Sequence, residues 1–131
     1  MEKLEYIPGD LVMTKTETNN FIPNGVVCKF YDIFRDKVFV STVMLADNFT
    51  CKKEDIAPIP LTPEILEKNG WKFINGKYAL KIKNANYVVL EFTEDGIYTY
   101  INENTMLFTI KYIHELQHLL YALHIDSNLK I

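Results

Sequence analysis

A chain of 131 residues that is 48% hydrophobic and 24% charged has the composition of a soluble globular protein, long enough to bury roughly two thirds of its unfolded surface in one domain or two very small ones. Its net charge of −3 is shared along the chain, with seven basic and nine acidic residues up to Pro60 and seven and eight beyond it, so neither half carries the basic excess that phosphate binding usually needs. The opening MEKLEYIPGD has no apolar run behind its lysine, and no stretch approaches the roughly 18 apolar residues of a membrane span, so the expectation is a cytoplasmic protein with no membrane contact and no secretory signal.

From 9 to 53 the chain reads as short strands rich in valine, phenylalanine and threonine: DLVMTK, VVCKFYDIF, KVFVSTV and FTCKK. Asn19-Asn20 and Pro23-Asn24-Gly25 punctuate the first connection, and Arg35-Asp36 marks a tight turn. Four or five such strands in about 50 residues predict a small SH3-like β-barrel over residues 1–60. Cys28 and Cys51, the two cysteines of the chain, fall in strands without CxxC spacing and are expected as free thiols of a reducing compartment. Phe21, Phe30, Tyr31, Phe34 and Phe39 invite comparison with the aromatic platforms of nucleic-acid-binding barrels, but most are expected in the core, and the flanking charge is acidic on balance.

The run Ala57-Pro58-Ile59-Pro60-Leu61 is expected to end the sheet as a stiff connector, because each proline removes a donor and restricts the residue before it. A second, α+β unit follows over 61–131. Thr62 as N-cap, Pro63 at the first helical position, Glu64 in the first turn and Asn69-Gly70 at the exit predict a two-turn helix. WKFI and KYALKIK flank Asn75-Gly76, the preferred type I′ hairpin turn. NYVVLEFT follows Lys83-Asn84-Ala85, and IYTYI follows the turn Glu94-Asp95-Gly96. This is a four-stranded antiparallel meander whose alternation puts Tyr78, Leu80 and Ile82 on one face and Lys77, Lys81 and Lys83 on the other. Lys72 joins those lysines on an outer face. Tyr98 and Tyr100 suggest an exposed edge for a partner strand.

The last helix is expected over about 109–124, with Tyr112, Ile113, Leu116, Leu119, Leu120 and Leu123 in one arc that covers the sheet. The predicted unit is therefore αββββα. On the opposite side His114, Gln117, His118 and Tyr121 cluster, with Glu115 at the edge.

His114-Glu115-Leu116-Gln117-His118 spells HExxH, in which two histidines on one helix face bind zinc and the glutamate activates a metal-bound water. HELQHLLYALH resembles the metzincin peptidases, which would make His114, His118 and His124 metal ligands and Glu115 the general base. Tyr121 stands where that family has the glycine that turns the third histidine back to the metal. No methionine follows His124, and Asp126 is the sole downstream carboxylate. The reading of the residues is a coincidental motif, no cofactor, and a polar helix face.

Pro8-Gly9-Asp10-Leu11-Val12, the segment PIPLTPEILEKNGW from Pro58 to Trp71, and KYIHELQHLLYAL from Lys111 to Leu123 resemble, in order and spacing, a family of small uncharacterised proteins of Bacteroides-type bacteria and their phages and prophages. The resemblance spans nearly the whole chain. In that family the last helix reads close to YVHQLQNLY, with asparagine at the place of His118 and no fixed glutamate at Glu115. That family has no established activity to carry over; the expectation is a non-enzymatic accessory or protein-interaction module of phage or mobile-element origin, and the face the family pattern suggests is His114, Gln117 and Tyr121 with Pro58 and Pro60, read either as polar groups that hydrogen-bond the connector backbone or as an interaction or junction face. A zinc-dependent hydrolase and a nucleic-acid-binding small barrel are the alternatives of other classes; on net charge, a protein partner is expected ahead of nucleic acid.

Overall fold

A computed structural model of the chain describes residues 6–14, 25–35, 37–43, 48–83, 86–102, 105–125, 127 and 129–131. Asn19, Asn20, Phe21, Pro23, Asn24, Asp36, Asn84, Ala85 and Asp126 lie outside the described residues. The fold is α+β and divides into two compact units, Met1–Ile59 and Pro60–Ile131. No helix among the described residues is long and apolar enough to cross a membrane.

In the first unit, β1 (Leu11–Thr14), β2 (Val27–Phe34), β3 (Lys37–Thr42), β4 (Asn48–Lys52) and β5 (Ile56–Pro58) form one antiparallel sheet in the order β4-β3-β2-β1-β5. A single 3-10 turn at Lys53–Asp55 separates the last two strands. The sheet is open, with β4 and β5 as edges, so a closed barrel is not formed by the described strands. Before β1, Pro8 and Gly9 make a turn closed by the Asp10 N–H to the Ile7 carbonyl at 3.0 Å. Gly9 there has φ +99°, the left-handed value that follows proline in a type II turn. Val12, Cys28, Phe30, Val38, Val40 and Ile56 pack as one buried cluster.

The connector expectation needs a correction at its first half. Ala57 and Pro58 continue the sheet, opposite Met13 and Val12. Proline is tolerated because β5 is an edge strand, where a missing donor costs no ladder bond. Beyond it, Pro60 forms an isolated bridge with Tyr112, and the Leu61 N–H donates to the Lys111 carbonyl at 3.0 Å.

The second unit holds α1 (Pro63–Lys68), β6 (Lys72–Ile74), β7 (Lys77–Lys81), β8 (Tyr87–Thr93), β9 (Gly96–Ile101), β10 (Thr105–Ile110) and α2 (Ile113–Ala122). Its sheet is antiparallel in the order β10-β9-β8-β7-β6, with five strands where four were expected. Residues 109–110, read as the start of the last helix, close β10 instead, because Ile110 pairs with Ile97. The hairpin at Asn75-Gly76 is as expected: Ile74 pairs with Lys77, and both turn residues have positive φ. Thr62 is the N-cap of α1, but its side chain makes no capping bond.

Register assigns the faces of this sheet. Tyr78, Val88, Leu90, Ile97, Thr99 and Ile110 share one face and are buried. Ile113, Leu116, Leu119 and Leu120 of α2 and Leu66 of α1 are also buried, so one sheet face and the apolar helix arcs supply the interior of this unit. β9 lies between β8 and β10. Tyr98 and Tyr100 are therefore on an inner strand, and the edge expected there belongs to β10.

Candidate functional site

The segment that carries HExxH opens α2, and its glutamate is engaged by the backbone. Tyr112 is the N-cap in extended conformation, which makes Glu115 the third helical residue. From there one Glu115 oxygen, Oε1, accepts the N–H of Tyr112 at 3.0 Å and that of Lys111 at 2.9 Å. These are orphan donors of the helix start, and this is the glutamate half of a capping box. A carboxylate held in this way closes the helix and is turned toward its own main chain.

The histidines are placed differently from one another. His114 is 2% exposed, with its Nδ1 sealed from solvent. It stacks on Tyr112 at 6.0 Å between ring centroids and meets His118 edge-on at 5.6 Å. The two rings are close enough to share a ligand, as the i, i+4 spacing requires.

His124 is not on the helix at all. α2 ends at Ala122 with Leu123 as C-cap, and His124 takes φ +59°. Its N–H donates to the Tyr121 carbonyl at 3.0 Å, and the Ile125 N–H to that of Leu120 at 2.8 Å. This pair of bonds is a Schellman motif with histidine in the left-handed position. The expectation of a helix running through His124 is thus corrected. The turn that brings back a third ligand in metzincins comes three residues later here, at His124 itself. Among the described residues no group of three or more His, Cys, Asp or Glu side chains is gathered for a metal.

The rest of the predicted face is divided. Gln117 is buried, and its Nε2 donates to the Ser127 carbonyl at 3.2 Å, tying down the tail. Asn69, at the exit of α1, holds the tail from the other side: its Nδ2 donates to the Lys130 carbonyl and its Oδ1 accepts the Lys130 N–H, both at 2.7 Å. Tyr121 is 70% exposed. Pro58 belongs to the first unit and Pro60 to the second.

No protein-family model, curated protein or solved structure matches this chain. Of the aromatic residues singled out in the first unit, Phe30 is buried, but Tyr31, Phe34 and Phe39 are exposed, against the expectation that most are core. Phe39 alternates with buried Val38 and Val40 in β3, and for Phe34 the cause is a bulge: Phe30 pairs with Val40 and Asp32 with Phe39, leaving Tyr31 as an extra residue. Beyond it the alternation of β2 reverses, so Ile33 sits opposite core residue Val38, and Phe34 opposite Lys37 on the outer face. Tyr31, Phe39, Asn48, Phe49 and Thr50 line a shallow depression of about 480 Å³.

Cys28 and Cys51 are free and buried. Burial pushes both thiols up to about 11, with the charge of Asp55 adding to the effect at Cys51. They are poor nucleophiles near neutrality.

The outer face of the second sheet carries a different chemistry. Lys72, Lys77 and Lys81 lie there with Tyr87, Tyr98 and Tyr100, as the pairs Lys72–Ala79, Ala79–Val89, Val89–Tyr100 and Lys81–Tyr87 require. The Lys77 ammonium sits 5.3 Å from the Tyr100 ring centroid, and the Tyr100 hydroxyl donates to Glu91 at 3.2 Å. Desolvation, followed by the Glu91 charge, raises the pKa of that phenol. Ile74, Lys77, Ala79, Tyr87, Val89 and Asn102 line a depression of about 240 Å³.

Proposed function

We propose that the chain is a non-enzymatic accessory module of phage or mobile-element origin, cytoplasmic, that works by binding another protein through its first unit. The observation that carries this reading is the exposure of Tyr31, Phe34 and Phe39 on the outer face of β2 and β3, at 47%, 63% and 39%. Exposed clustered aromatics mark interaction sites more often than inert surface. The origin rests on the resemblance of the PIPLTPEILEKNGW and KYIHELQHLLYAL segments. The SH3-like reading of this unit is supported by a meander whose last strand returns beside the first after a 3-10 turn.

Against a hydrolase stands the engagement of Glu115 with the Lys111 and Tyr112 amides. What favours it is the approach of His114 and His118. Two measurements on protein purified without a histidine tag decide between them. Elemental analysis is expected to find no stoichiometric zinc. About one zinc per chain, lost in both His114→Ala and His118→Ala, would establish the metal reading instead. In the second measurement, a polypeptide held in fixed ratio by the wild type in sedimentation is expected to be released by the double substitution Phe34→Ser, Phe39→Ser, with the thermal midpoint unchanged. Retention of that polypeptide by the double variant would refute the aromatic surface as the docking site.

A further inference from the structure

We propose that the outer face of the second sheet binds single-stranded nucleic acid, with Tyr87 and Tyr98 stacking bases and Lys72, Lys77 and Lys81 meeting phosphates. The proposal concerns a different unit and a different ligand from the protein-docking reading, and stands without it.

Whole-chain charge argues against a polyanion, but it averages over surfaces that a ligand never touches. On this face the described charged residues are three lysines and Glu91, a local excess of cations in a chain of net charge −3. Glu91 is already engaged, accepting the Tyr100 hydroxyl at 3.2 Å. The acidic turn Glu94-Asp95 is at the end of the β8–β9 hairpin away from Lys81 and Tyr87. Lys77 and Lys81, four residues apart on one strand, are separated by about 13 Å along it, so the cations are spread as a track rather than focused on one point.

The aromatic residues give the ligand its second property. Tyr87 and Tyr98 belong to β8 and β9, inner strands of a sheet whose opposite face is buried. Rings on inner strands are held by neighbours on both sides, which makes them rigid stacking platforms. Tyr100 has a positioning role: its ring holds the Lys77 ammonium and its hydroxyl is anchored by Glu91. Beside Tyr87 the depression of about 240 Å³ has an apolar floor of Ala79 and Val89, suited to one flat ring. Anionic groups at regular spacing joined to flat apolar rings describe an unpaired nucleic-acid strand. Duplexes present phosphates but keep their bases stacked internally, so they satisfy the lysines alone.

The test is fluorescence anisotropy of labelled oligothymidylate and oligouridylate with the full chain, at low salt and with rising salt. Binding of either is expected, with a salt slope of about −2 if all three lysines meet phosphates; preference for one over the other identifies DNA or RNA as the source. Tyr87→Ala and Tyr98→Ala should each weaken binding roughly five- to 150-fold, while Tyr98→Phe retains it. The double exchange Lys72→Ala, Lys81→Ala should make the salt slope shallower by about 1.4. Tyr87 and both lysines are exposed, so these variants keep the test valid even if Tyr98→Ala fails to fold. No binding at about 100 µM protein in low salt would overturn the proposal, that being the weak end of non-specific affinity. So would binding that duplex DNA and heparin match and that the tyrosine variants leave unchanged, since that is adsorption of any polyanion.

Discussion

Among the described residues each unit contains a five-stranded antiparallel sheet with one bulge, and the two bulges act in opposite directions. In β2 the extra residue Tyr31 reverses the alternation so that Phe34, an aromatic residue, faces outward. In β10 the register shifts between Met106 and Thr109, and the reversal turns Ile110 inward, where it is 1% exposed. One insertion creates a surface and the other completes a core. A single residue therefore redistributes apolar side chains between recognition and stability without any change in composition.

The largest test of this contrast lies within β2. Phe30→Ala is expected to cost about 3–5 kcal/mol, as removal of a buried phenylalanine does, and Phe34→Ala less than about 0.5 kcal/mol, as at an exposed site. Urea unfolding gives both values. Similar costs for the two substitutions would mean that the alternation does not reverse at Tyr31.

The β10 bulge has its own support. Thr99 is fully buried, and its hydroxyl donates to the Phe108 carbonyl at 2.6 Å while accepting the Phe108 N–H at 3.1 Å. The side chain thus satisfies backbone groups that the bulge removes from the ladder. Thr99→Val keeps the shape and removes both bonds, for an expected loss of about 1–3 kcal/mol. A loss near zero would show that the bulge is held by something else.

These bulges also mark where the sequence stopped being legible. The Asn75-Gly76 hairpin, the exits and entries of α1, and, apart from β5 with its proline, the strands of both sheets as far as β9 follow from local chemistry: left-handed turn residues, proline at a helix start, period-two alternation. A bulge has no such signature, since it is fixed by which residues lie opposite on the neighbouring strand. Phe30, Tyr31, Phe34 and Phe39 accordingly looked alike in the sequence and separate in the structure. β10 was missed because Thr109-Ile110 fit the helical period of α2 as well as they fit a strand. At the HELQH site the chemistry of the residue types was readable, but the attachment of Glu115 to the amides of Lys111 and Tyr112 was not, because HExxH and the second half of a capping box ask for the same glutamate.

Next in size is the response of the first unit to alkali. Both thiols are in the first unit, and burial raises them from 9.0 to about 11. Between those values the unfolded chain loses protons that the folded one retains, so stability is full below about pH 9 and falls as pH rises toward 11. The urea midpoint should drop over that window, and Cys28→Val should flatten the drop. An unchanged slope would indicate that the thiols ionise alike in both states.

Glu115 gives a smaller effect with a sharp chemical contrast. Glu115→Ala should cost about 1 kcal/mol through two lost hydrogen bonds at the start of α2. Glu115→Gln should cost less than half of that, because an amide oxygen still accepts from both N–H groups. A catalytic base reverses the emphasis, since glutamine would abolish hydrolysis whatever it did to folding. Stability lost equally in both variants would show that the charge, rather than the bonding geometry, holds the helix start.

The smallest effect compares the two helix ends. Both close with a Schellman motif: in α1 the left-handed residue is Gly70, with the Trp71 N–H donating to the Leu66 carbonyl at 3.0 Å, and in α2 it is His124. Glycine adopts that conformation freely, whereas a side chain pays about 1–2 kcal/mol. Glycine's greater freedom in the unfolded chain offsets part of the difference. His124→Gly is therefore expected to raise stability by up to about 1 kcal/mol, seen as a higher thermal midpoint, with metal content unaltered. If the substitution instead destabilises the chain, the imidazole makes contacts that outweigh its backbone strain. The last histidine of HELQHLLYALH would then have a role of its own, separate from the turn it occupies.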